Sequence, residues 1–217
     1  MKTFIYGRLY HIIMVKDKKT DIKLSEKEKI IIHLIENKNP QSIKSISGAT
    51  FIDYKNTYNV IDNLDKDIFS KDKIGNTNLI GIKLEPKEEI YKAENKRTEI
   101  FLNRNNKLRL LREDIRSLNY PFLIILIFGS YTREENTSKS DIDLCIISDN
   151  EEKIKELVSK LEILPINLEI HDFKLKEFEE MLKTKENNIG KEIVKNNIIL
   201  YGIENYYNLI AKWMKKE

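Results

Sequence analysis

Apolar positions recur along this chain in two rhythms, a helical one and an extended one, and together they lay out its elements. Over residues 25–36, Ile30, Ile31, Leu34 and Ile35 fall at helical spacing, with Ser25 as N-cap and Glu28 at the capping-box position. Residues 42–47 read as a short second helix stopped by Gly48, and Asp53 caps a third helix running to about Leu64. The inward stripe of that third helix reads Tyr54, Tyr58, Ile61 and Leu64. Two extended runs, 68–74 and 79–84, flank Gly75-Asn76-Thr77-Asn78, a hairpin signal. Pro86 breaks the chain before a charged helix over 88–103 and a second helix over 107–118, with Leu108, Leu111, Ile115 and Leu118 on one side. The unbroken apolar run 122–128 predicts a strand buried on both faces, and after a polar loop a second strand covers 141–148. Helix 151–161, strand 166–171, helix 175–183, a short strand near 198–201 and an amphipathic terminal helix follow.

Three helices and then a hairpin is the order of a winged helix-turn-helix. The strand and helix alternation behind it makes the second part α/β. The expected organisation is a winged helix-turn-helix over 1–87, in which 1–20 is an extension of undefined role, a connecting helix over 88–104, and an α+β or α/β domain over 105–217. With only 7 Gly and 4 Pro in 217 residues, these residues act as punctuation, and no repeat or low-complexity linker intervenes.

Composition narrows the partners. A chain 41% hydrophobic and 34% charged can bury a core, which excludes a disordered one. The formal charge of +3 selects no partner, but it divides unevenly: residues 1–87 carry 16 Lys/Arg against 11 Asp/Glu, and residues 88–217 carry 22 against 24. The front part can therefore face a polyanion. One cysteine, Cys145, excludes an intramolecular disulfide and a cysteine zinc site. No apolar stretch approaches the ~20 residues of a membrane span. The opening segment lacks a small-residue cleavage site, so the expected location is cytoplasmic. In the terminal helix Tyr206, Leu209, Ile210, Trp213 and Met214 form a stripe, read as core or, with the tryptophan exposed, as a homodimer face.

The chemistry-bearing segment is Phe128-Gly129-Ser130, then ten residues, then Asp141-Ile142-Asp143. A glycine where a buried strand leaves its sheet lets an anion approach the main chain, and Ser130 with the following amides can hold phosphate oxygens. Asp141 and Asp143, two apart on a strand, share one face while Ile142 and Leu144 take the other. Two carboxylates on one face of an apolar strand repel and are costly to desolvate, and a divalent cation removes that penalty; Mg2+ suits best. Taken alone, Gly-Ser is a turn and Asp-x-Asp a solvated strand end or a cap. The arrangement of apolar strand, Gly-Ser, polar loop and carboxylates opening a second apolar strand carries the inference.

With its spacing, Ser140 directly before Asp141, and Arg133 in the loop, the segment 128–147 resembles the nucleotidyltransferase superfamily related to DNA polymerase β. It is most similar to the minimal nucleotidyltransferases. One departure is that Glu134-Glu135 follow Arg133 where such proteins often have glycine, which weakens the arginine's hold on a triphosphate. The resemblance implies a third carboxylate on a later strand, for which Glu169 is the candidate. In Pro165-Ile-Asn-Leu-Glu-Ile-His171 the residues Asn167, Glu169 and His171 share one face, and Asp172 is the fallback. His171 reads as a packing or capping residue rather than a ligand. The resemblance further implies that Asp141 and Asp143 hold Mg2+ on an ATP or other NTP triphosphate and that Gly129, Ser130, Arg133 and Ser140 bind the nucleotide. Glu169, with a second ion, prepares an acceptor hydroxyl, and attack on the α-phosphate releases pyrophosphate.

Minimal nucleotidyltransferases resemble antitoxins that adenylylate a partner toxin of the HEPN type, so a protein hydroxyl is the expected acceptor. The rival reading is a DNA-binding regulator whose second domain only senses nucleotide; transfer to a small molecule such as an aminoglycoside is a third. For the front part, helix 53–64 would enter a major groove of double-stranded DNA with Lys55, Asn56 and Asn59, while Lys44, Lys71 and Lys73 contact phosphates. Against this, Asp62, Asp65 and Asp67 crowd the end of that helix, and the alternative is a dimerisation or docking module.

Overall fold

The computed structural model describes residues 22–64, 68–117, 120–133 and 140–214. The expected extension over 1–20, and Asp65, Asp67, Leu118 and Glu134-Glu135, lie outside the described residues. The chain divides into two compact units, Met1–Ile100 and Phe101–Glu217.

In the front unit, α1 (Glu26–Glu36) starts on the expected capping box. The Ser25 amide donates to Glu28 Oε2 at 2.8 Å and the Glu28 amide to Ser25 Oγ at 3.3 Å. Its face of Ile30, Ile31, Leu34 and Ile35 is buried. Strand β1 (Gln41–Ser42) leads into α2 (Ile43–Thr50), which is capped by the Ser42 side chain. Gly48 does not end this helix. The chain continues to Thr50 and turns at Phe51, in the left-handed region at φ 55°, because Ile43, Ile46 and Thr50 keep one face buried through the glycine.

Helix α3 (Tyr54–Asn63) is capped by Asp53, but its buried face is Thr57 and Ile61, while Tyr54 and Tyr58 are exposed. The cap sets the phase. Thr57 donates its hydroxyl to the Asp53 carbonyl at 2.9 Å, which turns the two tyrosines, with their polar tips, outward. The hairpin then forms from β2 (Phe69–Ile74) and β3 (Thr77–Ile82) around a two-residue Gly75-Asn76 turn, and β1 adds to β3 in the order β1-β3-β2. Helix α4 covers Glu88–Arg104. Within the front unit it buries Ile90, Ala93 and a Glu94–Arg97 ion pair at 2.7 Å.

The back unit opens with α5 (Asn106–Ser117), whose Leu108, Leu111 and Ile115 are buried. Strand β4 (Ile124–Phe128) is buried along its whole length, whereas Phe122, expected inside the run, is exposed two residues ahead of the first paired position. Strand β5 (Ile142–Ile147), helix α6 (Glu151–Leu161), β6 (Leu168–Phe173), helices α7 (Leu175–Lys183) and α8 (Ile189–Lys195), β7 (Ile198–Tyr201) and α9 (Ile203–Met214) follow. Strand β6 begins two residues later than its sequence pattern predicts, because Ile166 is held in a tight turn to the Leu164 carbonyl at 2.8 Å. Helix α8, absent from the expected elements, is capped by Asn188, whose side chain accepts from the Lys191 amide at 3.1 Å.

The sheet order is β6-β5-β4-β7, with β5 and β6 parallel and the other pairs antiparallel. It is a small mixed sheet. Ile125 and Ile127, Ile142, Leu144 and Ile146, and Ile198 and Leu200 join α5 and α6 in one core. The alternate positions Leu126, Cys145 and Ile199 are buried on the opposite face, and α9 packs on β4 and α7. In α9, Tyr206, Leu209 and Ile210 are buried and Trp213 is half-buried, so the expected stripe is mostly core. Gly202, at φ 76°, lets the chain turn between β7 and α9, where a Cβ would stand 2.1 Å from the Leu123 carbonyl oxygen. No helix among the described residues is long and apolar enough to cross a membrane.

Candidate active site

The β4 strand delivers its chain to Gly129, where a 3-10 turn spanning Gly129–Arg133 begins. Gly129 has φ 71°, and a Cβ there would lie 1.9 Å from Asp143 Oδ2 and 2.7 Å from its Cγ. Glycine thus serves twice, adopting a left-handed backbone and vacating the space that the Asp143 carboxylate fills. The Ser130 amide donates to that carboxylate, and Thr132 Oγ1 donates to the Gly129 carbonyl at 2.9 Å, closing the turn on itself.

Register then sets the second carboxylate. Phe128 pairs with Asp143 across the β4–β5 ladder, and Asp143 pairs with Glu169 across the parallel β5–β6 ladder. Two acidic side chains therefore stand side by side on one face, on strands ~4.8 Å apart. His171, two residues further on β6, shares that face, and one ligand atom from each of Asp143, Glu169 and His171 lies within 4.8 Å of the others. The imidazole Nε2 is 3.4 Å from Glu169 Oε1, and its ring stands edge-on to Phe128 with centroids 5.4 Å apart.

The electrostatics follow from this crowding. Partial burial, then the Glu169 charge, holds the Asp143 carboxyl above the usual aspartate range; Glu192 adds to this, while His171 and the Ser130 amide work the other way. The donor set fits a divalent cation. Two carboxylates and one imidazole are ligand types such ions take, and a cation would relieve the repulsion between the acids.

Of the residues singled out in the sequence, Gly129, Ser130, Asp143 and Glu169 converge. Asp141 is exposed, directly ahead of the first paired residue of β5, and stands outside the three-residue group. Ser140 is half-buried and its carbonyl accepts from the Tyr131 hydroxyl at 3.4 Å. Arg133 forms an ion pair with Glu192 of α8 at 2.9 Å. Glu192 escaped sequence reasoning because α8 did; Asn188 followed by Ile189 and Ile193 was the available signal. Asp172, the fallback carboxylate, lies on the opposite parity from Glu169 and is exposed. Cys145 is buried, and burial, followed by the nearby Asp172, pushes its thiol far up, as expected for an inert side chain.

In the front unit Lys44, Lys55, Asn56, Asn59 and Lys73 are all exposed, while Lys71 is engaged with Asp62 at 3.3 Å. Asn56 donates to Glu26 Oε1 at 3.3 Å, and Asn59 lines a cavity of about 330 Å³ with Glu26 and Lys27. Among the described residues the front unit has no group of His, Cys, Asp and Glu side chains spaced to hold a metal ion. Its buried charges are Glu94 and Arg97, paired at 2.7 Å, and burial first and then the Arg97 charge lower the Lys38 ammonium beside them to about 8.

Comparison with known proteins meets this geometry. A family model described as "Polymerase beta, Nucleotidyltransferase" matches residues 113–206, a span that includes the Gly-Ser turn, β5, β6 and α8. A "Putative protein adenylyltransferase" of Methanocaldococcus jannaschii is 30% identical over 98 residues, covering 43% of this chain and 70% of the relative. No solved structure matches.

Proposed function

Since the chain belongs to the polymerase β nucleotidyltransferase family, we propose that it transfers AMP from ATP to a hydroxyl of a protein, with Mg2+ as cofactor. The observation that carries this reading is the acidic row, Asp143 beside Glu169, set against a glycine whose missing Cβ makes room for the carboxylate. Asp143 and Glu169 hold the cation, and Asp141, exposed two residues before Asp143, is a further ligand. When bound, the cation supplies charge neutralisation of the triphosphate and polarises the phosphorus under attack.

The chain's own residues do the rest. The Ser130 side chain and the amides that follow it in the turn receive the outer phosphates, while the Ser130 amide holds Asp143, and Ser140 and Arg133 border the same loop. Arg133 trades its partner Glu192 for phosphate oxygen, a cheap exchange because an exposed ion pair contributes only about 0–1 kcal/mol. Glu169, with more than half its side chain exposed, is accessible to an acceptor and takes the proton from its hydroxyl. The acceptor oxygen bonds to the α-phosphorus, the bond from that phosphorus to the bridging oxygen breaks, and pyrophosphate leaves.

A protein acceptor is supported by the description of the relative, and an antitoxin-like action on a HEPN-type toxin is the specific form of this reading. The three helices and hairpin of the front unit support a winged helix-turn-helix over 1–87, with Lys55, Asn56 and Asn59 on the groove-facing helix. The second reading, a DNA-binding regulator that senses nucleotide without turnover, draws on the exposure of those side chains. Incubation with ATP labelled at the α- or the γ-phosphate, Mg2+ and the product of the neighbouring gene separates the two. The proposal expects α-label alone to enter protein; nucleotide binding with no transfer to any protein would favour the sensor.

A further inference from the structure

We propose that His171 is a nitrogen ligand in the same cation site, so that the centre holds Mn2+ more tightly than the Mg2+ that also serves it. The inference rests on the proposed function and specifies the metal chemistry of that site. Strand parity alone puts the imidazole on the acidic face, since Asp143 pairs with Glu169 and Cys145 with His171 in the same ladder. Phe128 braces the ring edge-on at 5.4 Å, which limits its rotation. The separation of 3.4 Å between Nε2 and Glu169 Oε1 exceeds the 2.7–3.2 Å range of a good N–H···O bond, so the nitrogen is near the carboxylate without being committed to it.

Ligand atoms around one ion bound at about 2.0–2.2 Å sit roughly 3–4 Å apart. The ligand atoms of Asp143, Glu169 and His171 all lie within 4.8 Å of one another, and Nε2 to Glu169 Oε1 is 3.4 Å, so little contraction is needed to reach that. A packing histidine needs no nitrogen beside two carboxylates; a ligand does. Mg2+ takes oxygen donors and keeps its waters, whereas imidazole raises affinity for first-row transition ions.

The test titrates the full-length chain with Mn2+, followed by electron paramagnetic resonance, with Mg2+ as competitor. Nitrogen modulation is read from the bound Mn2+ by pulsed spectroscopy. The wild type is expected to show histidine nitrogen coupling on the bound Mn2+ and to bind Mn2+ more tightly than Mg2+. His171→Ala and the shape-preserving His171→Gln should both abolish the coupling and weaken Mn2+ roughly tenfold, while Mg2+ affinity moves less than about threefold. Circular dichroism of both variants guards against misfolding. Absent coupling in the wild type, or unchanged Mn2+ affinity in a folded His171 variant, overturns the proposal. If Asp143→Asn abolishes Mn2+ binding while both His171 variants retain it, the nitrogen ligand is wrong and the nucleotidyltransferase site stands. If the wild type binds neither ion even with a non-hydrolysable ATP analogue, both fall together.

Discussion

The two units are built with equal care around apolar faces, yet they differ in what their polar groups do. In the front unit the charged and amide side chains serve the fold or solvent: Ser25 and Glu28 cap α1, Asp53 caps α3, and Lys71 meets Asp62. In the back unit Asp143 and Glu169 are set side by side where stability gains nothing, and a backbone glycine at positive φ gives up its side chain to admit one of them. Polar groups placed against the interest of the fold mark chemistry, and polar groups placed in its service mark architecture. Among the described residues the Asp143–Glu169 row is of the first kind, whereas the buried charges of the front unit, Glu94 and Arg97, neutralise each other at 2.7 Å.

Several substitutions break or sharpen this contrast. The largest effect is expected for Asp143→Asn. It should lower nucleotidyl transfer about a thousandfold or more while leaving the circular dichroism spectrum intact, because the lost interaction is catalytic. A folded variant with full activity would place the chemistry elsewhere. Next comes Gly202→Ala, where a Cβ would strike the carbonyl of Leu123, just ahead of β4, a backbone atom that cannot swing away. Chemical denaturation should show a loss of about 2–4 kcal/mol.

Gly129→Ala sharpens the comparison, since its Cβ meets a side chain that can move. A smaller stability loss, about 1–2 kcal/mol, should accompany near-complete loss of transfer as the Asp143 carboxylate is displaced. In the front unit Ser25→Ala should cost about 1 kcal/mol of stability and leave transfer untouched, because it removes a cap and nothing else.

The smallest effect is one of pH. Asp143 is held above the usual aspartate range in the folded chain by burial and then by Glu169. Its folded form therefore keeps a proton longer than the unfolded form does. Metal-free stability from this group is fully present below the unfolded value and declines as pH rises through the folded one. Thermal melts in chelator should show that decline flattened in Asp143→Asn, and added divalent ion should reverse it in the wild type only.

Much of this was legible in the chain. The capping box of α1, the apolar run of β4 and the alternation in β6 rest on local spacing, so Ser25, Glu28 and the shared face of Glu169 and His171 could be read directly. Tyr54 and Tyr58 were misplaced because amphipathic aromatics suit either face, and the Asp53 cap, not the stripe, set the rotation of α3. Gly48 misled because burial of Ile46 and Thr50 outweighs the weak helix propensity of one glycine. What spacing could not contain is register. That Asp143 lies beside Glu169, that the nitrogen of His171 falls near both, and that Glu192 reaches Arg133 depend on contacts between distant segments. The relation of Asp143 to the missing Cβ of Gly129 is likewise a matter of three-dimensional fit.

Calorimetric titration of a non-hydrolysable ATP analogue, with and without Mg2+ or Mn2+, tests the central claim most directly when run on the wild type beside Asp143→Asn and Glu169→Gln. The acidic row predicts that the wild type binds the analogue tightly only with a divalent ion and that both variants lose that metal-dependent gain. Metal-dependent binding of equal strength in all three proteins would contradict it.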